Sequence, residues 1–261
     1  MLRSGLAEAA VSALVEAVAL TRASGPAPGT SDAATARWAA KALGPGLTAM
    51  AGAAGRTGCA TGPLREELGA IGRATERSAR QAACGTAHHR GAIWALGLLV
   101  SAAALEPGAK AAEVTATARS LALLRDRAAP RVPSRGSSVA ARYGAAGAKG
   151  EARAGFPHAR RALQILRGTR GREFRAEGAR TDALLDVMST LQDTGLLHGV
   201  GPSGLRLVQN GARAVLEAGG VGTAGGREAL GTLTVELRAR ELRAGGSEPL
   251  LAAALFLDRV C

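Results

Sequence analysis

The sequence is nearly devoid of aromatic side chains: one Tyr, two Trp and three Phe make up 2% of its 261 residues. A surface that stacks single-stranded bases on rings has no material here. Strand-forming aromatics are missing too, and no segment sustains period-two alternation, so no strand is expected. Cysteine is scarce. Cys59, Cys84 and Cys261 are far apart and odd in number, and no CxxC or Cys/His cluster with zinc spacing occurs. That excludes a zinc finger or a disulfide framework and fits a reducing compartment. Long apolar runs are absent as well. The longest, Ala92 to Leu105, covers about 14 residues, short of the roughly 20 that cross a bilayer. The apolar N-terminal stretch is interrupted by Glu8 and Glu16 and has the spacing of an amphipathic helix rather than of a signal peptide. The expectation is a cytoplasmic protein with no membrane partner. There is no Walker GxxxxGK[ST] spacing and no repeat of solenoid length.

What remains is rich in helix formers. Apolar residues make up 47% of the chain, dominated by Ala and Leu, which favour helix. The 36 glycines are too many for helix interiors and are assigned mostly to loops and helix ends. Lys and Arg number 33 against 21 Asp and Glu, a formal net charge of +12. Such an excess points to polyanionic partners, either nucleic acid or a polyphosphate-bearing small molecule. The basic residues are dispersed and no helix-turn-helix signature is present, which disfavours nucleic acid.

Along the chain, a first helix runs from about Leu6 to Leu20, with Val11, Leu14, Val15 and Val18 on one face, and stops at Pro26 and Pro28. Ser31 or Asp32 caps a short second helix carrying Trp38 and Leu43, which GPG at Gly44 to Gly46 breaks. A third begins at Pro63 and ends near Gly85. The next, Ala92 to Leu105, is apolar all round, the pattern of a helix buried at a domain centre. Another spans Lys110 to Arg127, residues 130 to 157 read as loop-rich, and further helices are expected at about 158–167, 179–192, 203–218, 226–243 and 248–259. The fold class is therefore all-α: one domain over residues 1–261, of roughly ten helices around a buried central one.

Four polar, glycine-rich motifs fall at helix junctions, where a bundle can form a pocket at one end. GTAHHRGAIWALGLL, Gly85 to Leu99, puts His88, His89 and Arg90 before the apolar helix, where unpaired amides favour anions. YGAAGAKGEARAGFP, Tyr143 to Pro157, sets Lys149 and Glu151 among glycines. LQDTGLLHGVGPSGL, Leu191 to Leu205, carries Asp193 and His198; Asp193 is a candidate Mg²⁺ ligand or base, or simply a helix cap. RAGGSEPLLAAALFL, Arg243 to Leu257, offers Gly245, Gly246 and Ser247 as an anion nest at a helix start.

In this order these motifs resemble those of triphosphoribosyl-dephospho-CoA synthases: GVNTHKGAIFSLGLL, YGxxGARGEAxxGFP, DTNxLHRGG and SPGGSADLLAxTLFL. LREELGAIGRATERSA, with Gly72 and Glu76 at matching places, resembles the segment upstream. The resemblance is strongest over residues 64–257. Departures are Ala27 for the lysine of TPKPG, Ala87 and His88 for the Asn-Thr of GVNTHKG, Ser134-Arg135-Gly136 for a Ser/Thr-His-Gly element, and Pro249 for the Asp of GGSAD.

The resemblance implies an all-α transferase. Its reaction moves the triphosphoribosyl group of ATP to the 2′-hydroxyl of 3′-dephospho-CoA and releases adenine. The product is then handed to a transferase acting on an acyl carrier protein, that of malonate decarboxylase or of citrate lyase. An anomeric centre with oxocarbenium character calls for a carboxylate, the hydroxyl for a base, and the triphosphate for cations and Mg²⁺. The implied catalytic residues are Glu151, Asp193 and His89, with Glu151 and Asp193 also as Mg²⁺ ligands. Glu76, Arg90, Lys149, His198, Gly245, Gly246 and Ser247 are the implied nucleotide contacts. The alternative is an inactive paralogue that keeps the fold and binds a nucleotide or a protein.

Overall fold

Helix-forming alanines and leucines, unopposed by strand-formers, give a computed structural model in which every regular element among the described residues is an α-helix. The described residues are 3–23, 30–82, 89–130, 135–145, 147–168 and 176–261. Their helices are α1 (Arg3–Ala23), α2 (Thr30–Lys41), α3 (Gly44–Thr57), α4 (Gly62–Ala82), α5 (Arg90–Leu105), α6 (Ala111–Leu123), α7 (Arg135–Tyr143), α8 (Gly147–Arg153), α9 (Pro157–Gly168), α10 (Ala176–Thr190), α11 (Thr194–Gly199), α12 (Gly201–Glu217), α13 (Ala224–Ala239) and α14 (Glu248–Val260). The stop at Pro26 and Pro28, the Ser31 or Asp32 cap side chains, and residues Gly85 to His88 and Ser134 lie outside the described set.

This is more helix than roughly ten. GPG at residues 44–46 ends α2 but also opens α3, because Pro45 sits in the first turn, where its missing N–H costs nothing. The loop-rich stretch 130–157 contains α7 and α8, both short and glycine-flanked. Asp193 starts a further short helix, α11.

Buried apolar residues from Leu6 to Leu257 form one continuous cluster. Its centre is shared by two helices rather than held by one. In α5, Ala92, Ile93 and Ala95 through Ala103 are buried, while Trp94 is half-buried. In α14, Pro249 through Leu257 are all buried. α5 packs on α3, α14, α6, α8, α1 and α4, and α14 packs on α1, α5, α9 and α10. Among the described residues, Phe156 and Phe256 are the fully buried aromatics, and Trp38 stands exposed on α2.

Glycine also takes part in this packing, beyond the loops and helix ends expected for most glycines. Gly97, in the middle of α5, lies where a Cβ would come within 2.5 Å of Met50 Sδ. Helices lined with alanine approach so closely that a methyl group is too much at the crossing.

Residues Ser4–Ala23 of α1 are long and apolar enough to cross a membrane by length and composition. Leu6, Ala7, Ala10, Ala13, Leu14, Ala17 and Val18 are nevertheless buried, and the helix packs on α14 and α3.

Candidate functional site

The four motifs, far apart in sequence, meet where several helices begin. Gly91 of α5 lies where a Cβ would be 3.2 Å from Pro249 Cγ and 3.7 Å from Ala148 Cβ. Gly147, at φ 57°, faces Thr194, with a Cβ there 3.1 Å from Thr194 Cγ2. Asp193 accepts a hydrogen bond from the Gly246 amide at 2.8 Å. His89 Nδ1 is 3.3 Å from Glu248 Oε1. Each motif thus touches at least one other, and together they enclose the starts of α5, α8, α11 and α14.

Asp193 is 3% exposed and works as a cap. Its Oδ1 accepts from Gly195 N at 2.7 Å and Leu196 N at 3.2 Å, while Oδ2 takes the Gly246 amide. Burial pushes its carboxyl above the ordinary 3.8, and the three amides oppose that shift. Gly246 has room for nothing larger: a Cβ would lie 2.8–2.9 Å from the Asp193 carboxylate atoms. Of the anion nest expected from Gly245, Gly246 and Ser247, the Gly246 amide is directed at the protein's own Asp193 carboxylate. Ser247 is fully buried and its hydroxyl has no hydrogen-bond partner.

Glu151 is buried in the same manner. Its Oε1 accepts from the backbone amides of His158 at 2.7 Å and Ala159 at 3.4 Å, capping the start of α9. Its Oε2 is 2.7 Å from His158 Nδ1. These bonds follow from the left-handed turn at Gly155 and Phe156, φ 81° and 59°, which brings the first amides of α9 to the Glu151 carboxylate. The N-terminal amides of a helix otherwise lack partners, and a carboxylate is the group that suits them best. The two carboxylates expected to hold Mg²⁺ are thus both engaged as helix caps. No three His, Cys, Asp or Glu side chains among the described residues form a metal-binding group. As arranged, these residues do not fit a preformed Mg²⁺ site.

His89 is buried, its Nε2 lying 3.3 Å from Ala36 O and its Nδ1 facing Glu248, so it ties α2, α5 and α14 together. Glu76 Oε1 accepts from Arg90 Nε at 2.9 Å and Nη2 at 2.5 Å, and from Arg80 Nη2 at 3.1 Å. This clamp joins the end of α4 to the start of α5. Lys149 and His198 are exposed, as is Gly245, and none is drawn into the junction by a side-chain hydrogen bond. Two residues not among the expected site residues belong to it: His158, one position beyond the end of the second motif, and Glu248, within the fourth motif and the acidic first-turn residue of α14. The signal for both was an acidic or imidazole group next to a proline that opens a helix.

A sequence profile of the ATP:dephospho-CoA triphosphoribosyl transferase family matches residues 3–261. The chain belongs to this family. It is 48% identical over 223 residues to a Pseudomonas fluorescens protein called "Probable 2-(5''-triphosphoribosyl)-3'-dephosphocoenzyme-A synthase", covering 85% of this chain and 77% of the relative. Proteins of the same description from Stutzerimonas stutzeri and Azotobacter vinelandii are 47% and 48% identical, with matching coverage of 85% and 77%. No solved structure matches. For a member of this transferase family, the junction of the four motifs is the candidate active site. Around it, carboxylates are spent on fixing helix starts while the cations Arg90 and Lys149 remain at the surface.

Proposed function

We propose that this chain transfers the 5′-triphosphoribosyl group of ATP to the 2′-hydroxyl of 3′-dephospho-CoA. The bond from the 2′-oxygen to the anomeric carbon forms, the bond from that carbon to adenine breaks, and the hydroxyl proton is taken up as adenine departs. The observation that carries the reading is the meeting of four separated motifs at one set of helix starts, in a chain matched by the family over residues 3–261.

The residues divide the work by position. Arg90 and Lys149, with His198, are the groups assigned to the phosphates, and Glu76 orients Arg90. Two carboxylate–imidazole pairs, Glu248–His89 and Glu151–His158, are the groups available to the hydroxyl proton. Asp193 is a positioning residue that fixes Gly246 and, through it, the Ser247 turn. ATP is taken as its Mg²⁺ complex, the metal arriving on the triphosphate. The product goes to a transferase that loads an acyl carrier protein. We assign malonate decarboxylase as end user on the likeness of this short, Arg- and Ala-rich chain to that group, with citrate lyase the alternative. The setting is the cytoplasm, with neither nucleic acid nor membrane as a partner.

The test is incubation of the purified protein with ATP, Mg²⁺ and 3′-dephospho-CoA, following adenine by chromatography and product by mass. Adenine equimolar with product is expected. A second reading, the inactive paralogue, is favoured by Pro249, buried against Gly91 at the position where the family pattern has Asp. Binding of ATP without adenine release selects that reading, and restoring Ala27, Ala87 and Pro249 to the family residues is then the next step.

A further inference from the structure

Beside the junction, on the other flank of α8, lies a cluster of guanidinium groups that the four motifs do not include. Asp126 is set into the face of α4 at Gly69, where a Cβ would lie 2.0 Å from Asp126 Oδ2. Its carboxylate, almost fully buried, pairs with Arg73 Nη1 at 2.7 Å and stands 3.8 Å from Arg65 Nη1. Its other oxygen accepts from Ala128 N at 3.0 Å. Arg65 is 5% exposed, and its guanidinium carbon sits 4.7 Å over the centre of the Trp94 ring. Arg153 joins from the end of α8, its Nε donating to Ala122 O at 3.3 Å, near the end of α6 and ahead of Asp126 in the chain. Its charge, like that of Arg73, is felt at Arg65.

Two features of this cluster are unresolved by the protein itself. Arg65 and Arg73 share one carboxylate, and the exposed Arg153 adds a third positive charge felt at Arg65, which leaves a net positive charge around a buried guanidinium. Arg65 Nε and Trp94 Nε1 are both buried and have no acceptor. Buried N–H groups without partners are uncommon and costly. A neutral water can satisfy donors but leaves the charge unbalanced. A group with several lone pairs and negative charge satisfies both, and a phosphoryl group matches the planar guanidinium fork best.

We propose that Arg65, stacked on Trp94, forms a phosphate-binding subsite with Arg73 and Arg153 beside it. Residues four apart on a helix share a face, and this connects the cluster to the junction along two helices. Lys149 precedes Arg153 by one turn of α8, and Arg90 precedes Trp94 by one turn of α5. A chain of linked phosphates laid along this track passes from the cluster to the helix starts where the four motifs meet. The ligand class is a polyphosphate, and its identity as the triphosphate of ATP rests on the proposed reaction. The oxyanion site itself does not.

The experiment uses the full chain carrying Trp38→Phe, which leaves Trp94 as sole tryptophan, and titrates inorganic tripolyphosphate while following Trp94 emission. A saturable change is expected. Arg73→Gln and Arg153→Gln, both at the rim, should each weaken the dissociation constant at least 10-fold, whereas Arg206→Gln on the exposed face of α12 should leave it unchanged. Circular dichroism establishes that each variant is folded. Should Arg73→Gln unfold by releasing Asp126, Arg153→Gln decides. No saturable response to tripolyphosphate, equal affinity in folded Arg153→Gln, or the same response to acetate at equal ionic strength overturns the proposal. If adenine is released while tripolyphosphate fails to bind, the reaction stands and the subsite falls. If tripolyphosphate binds as described but adenine is not released, the subsite stands and the reaction falls.

Discussion

Replacing Glu151 separates a cap from a catalyst. Its carboxylate takes two backbone amides at the start of α9 and faces His158 Nδ1. Glu151→Ala removes all three interactions in a buried place. Loss of a helix cap costs about 1 kcal/mol, and a hydrogen bond to a charged group contributes about 1.5–3 kcal/mol. Allowing for overlap between the two, the expected loss is about 2–4 kcal/mol, or roughly 4–16 °C in melting temperature for a chain of this size. Glu151→Gln keeps an acceptor for the amides and loses the charge, so its loss should be about 1–2 kcal/mol. The assay pairs thermal and urea unfolding, followed by helical dichroism, with adenine release per folded molecule. The capping role requires both variants to lose stability, alanine more than glutamine. If both melt within about 1 °C of the parent while adenine release collapses, the carboxylate is doing chemistry and the capping argument is wrong.

Gly246→Ala should cost about 1–3 kcal/mol through overpacking against the Asp193 carboxylate, and the same change in an Asp193→Ala background should cost distinctly less; additive losses in urea midpoints would show that the two sites are independent. Asp182, whose Oδ1 accepts from Val221 N at 2.9 Å, is pushed above the ordinary 3.8 by burial, with the Val221 amide opposing. A carboxyl raised in the folded state favours folding below its unfolded value, and that contribution is lost as pH rises from 3.8 through the raised value. Asp182→Asn cannot lose a proton, so its stability relative to the parent should improve across that window; a constant or falling difference in urea midpoints between pH 4 and pH 7 would refute the sign.

The helices that could be read from the chain were those whose pattern needs no partner to be explained. α5 is apolar all round, α14 is an unbroken apolar run behind a Ser-Glu-Pro start, and α4 begins at a proline. α3 was hidden because GPG reads equally as the end of one helix and the beginning of another, and its buried face, Leu47, Met50, Ala51, Ala53 and Ala54, is defined only by packing on α1, α4 and α5. α7 and α8 were hidden by glycines that permit a loop as readily as a short helix. Within the candidate site, the positions of the motifs at helix starts were legible, since glycine, proline and small polar residues mark such ends. The partners of Glu151 and Asp193 were not. Which helix start a buried carboxylate caps depends on how the following segment turns back, and here that is fixed by the left-handed pair Gly155–Phe156 and by the approach of Gly246 from 53 residues away.

α14 has a consequence for how the molecule is made. It contributes nine consecutive buried residues and is packed by α1, α5, α9 and α10, yet it follows all of them in the chain. During synthesis, α1 and α5 therefore emerge with apolar faces whose permanent cover does not yet exist. The greater part of the polypeptide must wait, partly collapsed and prone to self-association, until residues 248–260 leave the ribosome. Closure is then a late event in which one helix slides between several that are already formed. A ribosome stalled just short of that segment would present a chain with most of its helices and almost none of its stability.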